Sequence, residues 1–314
     1  MIATVTANPS IDLTYELDAL ARGELHRARV LHVEPSGKGV NVARALLANG
    51  LAARAVLPTG GPAGAQLQAL LAAEQVPALT VPVAGGTRVN VTLAEPGGLA
   101  TKVNAPGPAL TADEVEALVT AVARAAADAD TVVVSGSLPP GAEPALVARL
   151  CRAAASSGAR VALDTSGPGL LAGLEARPHV VKPNLDELAE ATGGRAATWG
   201  EVEAAARTLL AAGAGSALIS AGAEGALLVG GSGTWLARVR VASPLSTVGA
   251  GDALLAGFVA AGGDGPEALR EAVAWAGAAL LEPGSRVPLV TDAHRRAVEL
   301  ADPPPPHTAL RGAS

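Results

Sequence analysis

The sequence predicts an α/β fold: a doubly wound, mostly parallel sheet flanked by helices, with a small β-sheet lid. Three observations carry that expectation. Short apolar runs alternate with longer Ala- and Leu-rich stretches, as Ala53-Arg54-Ala55-Val56-Leu57 does with the helix-like run from Ala63 to Glu74, which is the pattern of βαβ units. Later runs at Thr131 to Val134, Arg160 to Leu163, His179 to Val181 and Ala217 to Ile219 read as buried parallel strands, separated by helical stretches near 142–157 and 200–212. A period of two appears twice in the first third of the chain. There Ile11, Leu13, Tyr15 and Leu17 oppose Asp12, Thr14 and Glu16, and Val89, Val91 and Leu93 oppose Arg88, Asn90 and Thr92.

Taken in order, Met1 to Ala7 reads as a strand and Ile11 to Leu17 as a half-exposed antiparallel one. Arg27 to Glu34 reads as a further strand of the same small sheet. Arg88 to Asn104 reads as a hairpin turning at Pro96-Gly97-Gly98. These segments place the α/β core at residues 1–8, 37–82 and 105–301, the β lid at 9–36 and 83–104, and a flexible or extended tail at 302–314, where Pro303 to Pro306 stand in a row.

Composition narrows the function classes. The 314 residues, 49% of them hydrophobic, suffice for a large core. A net charge of −6 argues against nonspecific nucleic-acid binding, so any anion must be met by a local pocket. The longest nearly apolar stretch, Ala253 to Ala261, falls far short of the ~20 residues a membrane span needs. A single cysteine, Cys151, forms no internal disulfide, and the first residues lack the charge and apolar pattern of a leader, so a cytoplasmic protein without a membrane partner is expected.

Each core strand ends in polar or glycine-rich residues: Ser135-Gly136-Ser137, Asp164-Thr165-Ser166, Lys182-Pro183-Asn184 and Ser220-Ala221-Gly222. Open α/β sheets bind ligands outside the carboxyl ends of their strands, so these loops should line one crevice. The turn Thr247-Val248-Gly249-Ala250-Gly251-Asp252 precedes a run that should be a buried helix, which puts Asp252 at its N-cap or in its first turn. Exposed N–H groups of Gly249, Ala250 and Gly251 and the positive helix end suit a phosphate in transfer, while the carboxylate suits activation of a hydroxyl. A plain Asp cap is the competing reading. Neither a dinucleotide fingerprint nor a Walker A loop is present, and Gly37-Lys38-Gly39 lacks the Ser or Thr that must follow its lysine. Lys38 and Asn41 fall near a helix start, where a lysine calls for an anion. Arg88 could close over the same anion. Asn184 and Glu187 suit either a capping box or a water-mediated hold on Mg²⁺.

With these residues in place, the chain resembles the ribokinase or PfkB-type family of carbohydrate kinases. The resemblance rests on Asn8-Pro9-Ser10-Ile11-Asp12, Gly37-Lys38-Gly39-Val40-Asn41-Val42-Ala43, Thr87-Arg88-Val89-Asn90, Lys182-Pro183-Asn184 with Glu187, and the Gly249-to-Asp252 turn. Within the family it is most similar to the phosphosugar branch that acts on fructose 1-phosphate, tagatose 6-phosphate or fructose 6-phosphate, the first being favoured. The resemblance implies a ribokinase-like fold and ATP-dependent transfer of a phosphoryl group to a ketohexose monophosphate, with Asp252 as base and Gly249, Ala250 and Gly251 as anion hole. By motif, Asp12, Gly37, Lys38, Asn41, Arg88 and Ser137 hold the sugar phosphate, and Lys182, Asn184, Ser220, Gly222, Gly225 and Gly251 face the nucleotide. Asn184 and Glu187 organise Mg²⁺. A monovalent cation such as K⁺ is implied near Ser246, Val248 and Gly284 to Arg286, and the lid serves either as a cover or as a homodimer interface. One departure is Lys102, where relatives often carry an acidic or small polar residue. A noncatalytic sugar-phosphate sensor on the same scaffold is the remote alternative.

Overall fold

Alternation along the buried strands decides the layering. Val132 and Val134 point into one apolar layer while Val133, between them, points into the other, so each strand needs helices on both faces. The computed structural model describes residues 1–231 and 233–310. Its strands are β1 (Ile2–Val5), β2 (Ser10–Glu16), β3 (Val30–Ser36), β4 (Ala53–Thr59), β5 (Ala78–Pro82), β6 (Arg88–Ala94), β7 (Ala100–Val103), β8 (Thr131–Ser135), β9 (Arg160–Asp164), β10 (Val180–Val181), β11 (Ser216–Ser220), β12 (Ala226–Gly230), β13 (Gly233–Val239) and β14 (Val298–Ala301). Its α-helices are α1 (Lys38–Ala48), α2 (Gly61–Ala73), α3 (Ala112–Ala126), α4 (Ala145–Ala155), α5 (Gly167–Leu174), α6 (Leu185–Thr192), α7 (Trp199–Ala211), α8 (Ala250–Ala260), α9 (Gly265–Ala279) and α10 (Asp292–Arg296).

The main sheet runs β14-β13-β12-β11-β10-β9-β8-β1-β4-β5. From β5 to β11 every pairing is parallel; β12, β13 and β14 add an antiparallel edge that the apolar pattern alone did not distinguish. The chain leaves β1 towards β4 and β5 and later returns to β8 on the other side. The strand order therefore reverses between β1 and β8, where such sheets open a crevice at their carboxyl ends. One face is covered by α3, α4 and α7 through Leu118, Leu150 and Val202, and the other by α1, α8 and α9 through Leu46, Phe258 and Trp275. Cys151 lies inside the first layer, and burial pushes its thiol up to about 12, which removes it as a nucleophile.

The lid is a four-stranded sheet in the order β3-β2-β6-β7. The hairpin β6–β7 forms as expected, turning at residues 96–98 with Gly97 at φ 83. The two alternating strands differ from expectation in one respect: β2 and β6 pair in parallel, Asp12 beside Asn90, and only the outer neighbours β3 and β7 are antiparallel. A parallel pair needs a long crossover, and the chain between β2 and β6 supplies it by passing through β3, α1, β4, α2 and β5.

Residues 302–310 run without regular structure, turning where Thr308 N donates to Pro305 O at 2.8 Å, and end on Leu310, which is 5% exposed and donates its N–H to Ala197 O at 2.9 Å. Residues 311–314 lie outside the described part. Among the described residues no helix is long and apolar enough to cross a membrane.

Helices α8 and α9 touch at Gly257, where a Cβ would stand 2.8 Å from Trp275 Cγ and 2.9 Å from Glu271 O. Gly257→Val should therefore overpack this contact and cost about 1–3 kcal/mol. Thermal unfolding should show it as a lowered midpoint.

Candidate active site

The crevice is assembled from the ends of β1, β8, β9 and β10 and the starts of α1 and α8. At the end of β1, Thr6 governs the start of α1. Its Oγ1 accepts from Val40 N at 3.0 Å, and its side chain leaves no room for a Cβ at Gly37, which would meet Thr6 Cγ2 at 2.5 Å. Gly37 also has φ 125, a backbone open only to glycine without strain. Lys38 then becomes the first residue of α1, and Asn41 lies one turn on with its N–H bonded to Gly37 O at 2.9 Å.

The anion that a lysine at a helix start calls for is supplied by the protein. Lys38 Nζ stands 2.9 Å from Asp164 Oδ1 and 3.7 Å from Glu187 Oε1, while Lys182 Nζ approaches Asp164 Oδ2 to 3.2 Å. Asp164 is fully buried at the end of β9, in one of the loops expected to line the crevice, and its pairing with two lysines is the part that its sequence position does not signal. Burial works against its charge, but Lys182 and Lys38 more than offset that and hold its carboxyl below the usual range. Burial likewise opposes the Lys38 charge, which Asp164 and Glu187 restore, so its ammonium is held above the ordinary lysine range.

Asp252 lies in the first turn of α8, as expected, with Gly249 as N-cap at φ 76. A Cβ on Gly249 would meet Ser285 Cα at 3.0 Å, so the turn and residues 284–286 fit only around glycine. The ladder of the helix begins with Ala253 N donating to Gly249 O at 2.8 Å, which leaves the N–H groups of Gly251 and Asp252 outside it. Asn41 Nδ2 donates to Asp252 Oδ2 at 2.8 Å and joins the starts of the two helices. Burial first, and the charge of Asp164 second, push Asp252 from 3.8 up to about 7; Asn41, Lys182 and Lys38 pull the other way. A carboxylate with that value exchanges protons near neutrality, which a plain cap would not require.

The remaining expected residues divide into two groups. Asn184 and Ser220 are brought together in a parallel bridge, and Ser220 N donates to Pro183 O at 3.1 Å, so the Lys182-to-Asn184 loop and the Ser220-to-Gly225 loop adjoin. Gly222 at φ 55 and Gly225 at φ 100 shape the second loop. Asn184 and Glu187 form the full capping box of α6: Asn184 N donates to Glu187 Oε2 at 2.9 Å, and Glu187 N to Asn184 Oδ1 at 2.8 Å. In the lid, Asp12 accepts from Ser10 Oγ, Ser36 Oγ and Asn90 Nδ2 at 2.8, 2.8 and 2.9 Å. Arg88 donates from Nη1 to Ala105 O at 3.1 Å and from Nη2 to Asn8 O at 2.9 Å, leaving its buried Nε without a partner among the described residues. Ser137 is exposed beyond β8, next to Gly136, whose Cβ position lies 3.9 Å from Lys38 Cβ. Ser246 Oγ donates to Gly284 O at 3.2 Å and accepts from Val248 N at 3.1 Å, so the three positions expected near a monovalent cation do cluster. Lys102 is exposed on β7, opposite Thr92.

Magnesium fits the donor set in a limited way. Asn184 and Glu187 offer hard oxygens, yet among the described residues no group of three or more acidic, His or Cys side chains could cage a metal. Mg²⁺ keeps several waters and accepts one or two carboxylates beside phosphate oxygens, so these two residues suit a hold through water.

Because the folded state favours neutral Asp252, stability from this group is fully present below pH 3.8 and lost as pH rises towards about 7. Asp252→Asn should thus unfold at a higher temperature than the unaltered chain at pH 8. Melting curves at stepped pH should show the gap growing from pH 3.8 to about 7 and level above that.

Known proteins resemble the chain along almost all of its length. The pattern of the pfkB family carbohydrate kinases matches residues 5–292. A 1-phosphofructokinase of Rhodobacter capsulatus is 38% identical over 299 residues, spanning 91% of this chain and 92% of that protein. One from Xanthomonas campestris pv. campestris is 40% identical over 265 residues, covering 82% and 83%. Among solved structures, phosphofructokinase-2 of Escherichia coli in complex with potassium superposes with a TM-score of 0.87 at 32% identity, over 94% of this chain and 97% of that one; that enzyme also has a tetrameric inhibited form. A family match over residues 5–292 and relatives 38–40% identical over most of both chains lead to one assignment: the chain belongs to the pfkB family of carbohydrate kinases.

Proposed function

We propose that the chain transfers the γ-phosphoryl group of ATP to a hydroxyl of a ketohexose monophosphate, with fructose 1-phosphate as substrate and fructose 1,6-bisphosphate and ADP as products. The observation that carries this reading is Asp252, buried at the start of α8 beside the free N–H groups of Gly251 and itself, and poised near neutrality. The relatives named 1-phosphofructokinase direct the choice of phosphosugar.

In this reading Asp252 accepts the proton of the attacking hydroxyl while the new P–O bond forms and the bond to ADP breaks. Asn41 holds one carboxylate oxygen and leaves the other for that proton. The N–H groups at the helix start and the Lys38 ammonium face the charge that develops on the phosphoryl oxygens. The loops at Lys182 to Asn184 and Ser220 to Gly225 take the nucleotide, with Gly251 between them and the sugar. Asn184 and Glu187 would hold Mg²⁺ through water, and the ion would supply neutralisation of phosphate charge. Asp12, Gly37, Arg88 and Ser137 take the substrate that carries its own phosphate. A K⁺ ion beside Ser246, Val248 and Gly284 to Arg286 goes with the potassium complex of phosphofructokinase-2, and a cytoplasmic setting with the two substrates.

The lid edges carry exposed apolar side chains, Val30 and Leu31 on β3 and Leu99 and Val103 near and on β7, and these support a homodimer through the lid. Sedimentation of the unaltered chain should show a dimer that Leu31→Lys shifts towards monomer.

ADP release in the presence of ATP and Mg²⁺ should depend on fructose 1-phosphate and fall by at least about a thousandfold in Asp252→Ala. A panel including tagatose 6-phosphate and fructose 6-phosphate tests the substrate choice; faster turnover of either would replace fructose 1-phosphate. For the unaltered chain, kcat/KM should decline on the acid side with a midpoint at about 7.

A further inference from the structure

Far from the sugar side, the docked tail and the nucleotide loop are joined through two side chains. The first-turn N–H groups of α7 are all accounted for: Trp199 N donates to Thr308 O at 3.1 Å, Gly200 N to Pro306 O at 2.9 Å, Glu201 N to Thr198 Oγ1 at 3.2 Å and Val202 N to Thr198 O at 3.0 Å. Two of these four partners belong to the tail. A Cβ on Gly200 would stand 2.7 Å from Pro306 Cβ, so the tail lies directly on the helix start. Trp199, 2% exposed, is pinned beneath it in the same apolar layer as Leu310.

Over the Trp199 ring lies the guanidinium of Arg238, 5.7 Å from the centroid. That guanidinium reaches the nucleotide loop: Nε donates to Glu224 O at 3.0 Å, and Nη2 stands 3.7 Å from Glu224 Oε2. The loop closes on itself through Ala221 N to Gly225 O at 2.8 Å, and its Gly225 packs so closely on β13 that a Cβ would meet Ala237 O and, at 2.8 Å, Arg238 Cγ. An arginine held between an aromatic face and a loop carbonyl has little freedom left, so it can fix the loop in the form a ligand needs.

We propose that Arg238 is a positioning residue for nucleotide binding, held in place by the 302–310 strap through Trp199. The inference rests on the reading that the Ser220-to-Gly225 loop faces ATP. The contacts of Arg238 are to Glu224 and the Trp199 ring, so its part is a positioning one. They act by keeping Glu224, and with it the turn from Gly222 to Gly225, in one conformation before ATP arrives.

The test separates the two substrates. Arg238→Met keeps the aliphatic stem and removes the guanidinium; KM for ATP should rise roughly five- to tenfold, while KM for the phosphosugar stays within about twofold. Arg238→Lys, which keeps charge without the fork, should recover only part of the loss. Gly200→Ala strengthens the intrinsic helix propensity of α7 yet pushes Pro306 away, so it should also raise KM for ATP, and adding it to Arg238→Met should raise it little further. An unchanged KM for ATP in Arg238→Met, with or without a lowered melting point, overturns the proposal. So does an equal rise in both KM values. Calorimetric titration with ATP and Mg²⁺ distinguishes the two levels of inference. If the unaltered chain binds ATP but turns over no phosphosugar, the substrate reading falls while the ATP dissociation constants of the variants still decide the role of Arg238; if it binds no ATP, both fall.

Discussion

A carboxylate that water cannot reach, Asp164, dictates the arrangement of the site. Moving such a charge out of water costs several kcal/mol unless it is paired, and Asp164 finds its partners on two other elements, Lys38 at the start of α1 and Lys182 after β10. Meeting that demand fixes three strand or helix ends relative to one another. Asp252, close enough to sense the same charge, is held back from ionising until near neutrality. One buried charge thus sets the geometry of two cations and, second to burial itself, raises the proton affinity of the candidate base.

Much of this was legible in the chain itself. The run of polar residues after each apolar strand pointed to the crevice, and the Gly249-to-Asp252 turn before an unbroken apolar run placed Asp252 in the first turn of a buried helix. What remained hidden were pairings between distant segments. Lys38 and Asp164 are 126 residues apart, and nothing local to either names the other. The lysine at a helix start signalled a missing anion, but its source could equally have been a ligand. The Asn184 and Glu187 spacing suited a capping box and a metal alike, and the capping box is what their hydrogen bonds form. Alternation in β2 and β6 revealed a one-sided sheet without revealing that the two strands run the same way, since direction depends on the intervening crossover. The proline-rich tail had the composition of a free end, and only Leu310 and the open helix start of α7 explain why it docks.

The lid is better organised than its exposed strands suggest. Asp12 gathers Ser10, Ser36 and Asn90 from three strands, and Arg88 bonds two carbonyls, so the lid's own side chains hold its polar face in register. At its base Glu34 meets both Arg44 and Arg286, while Arg44 also reaches Glu74 and Ser285. Ser285 in turn abuts Gly249. The lid and the turn at Gly249 are therefore joined through one cluster of charged and polar side chains.

The central place of β1 has a consequence for how the protein comes into being. Its two neighbours are β4 and β8, and Asn41 must wait 211 residues for Asp252. Contacts of such span close slowly, because loop entropy must be overcome before they contribute. During synthesis the early strands emerge with their apolar faces uncovered until the later helices arrive to cover them. The pieces of the crevice exist from the beginning, but a half-made chain has no site at all.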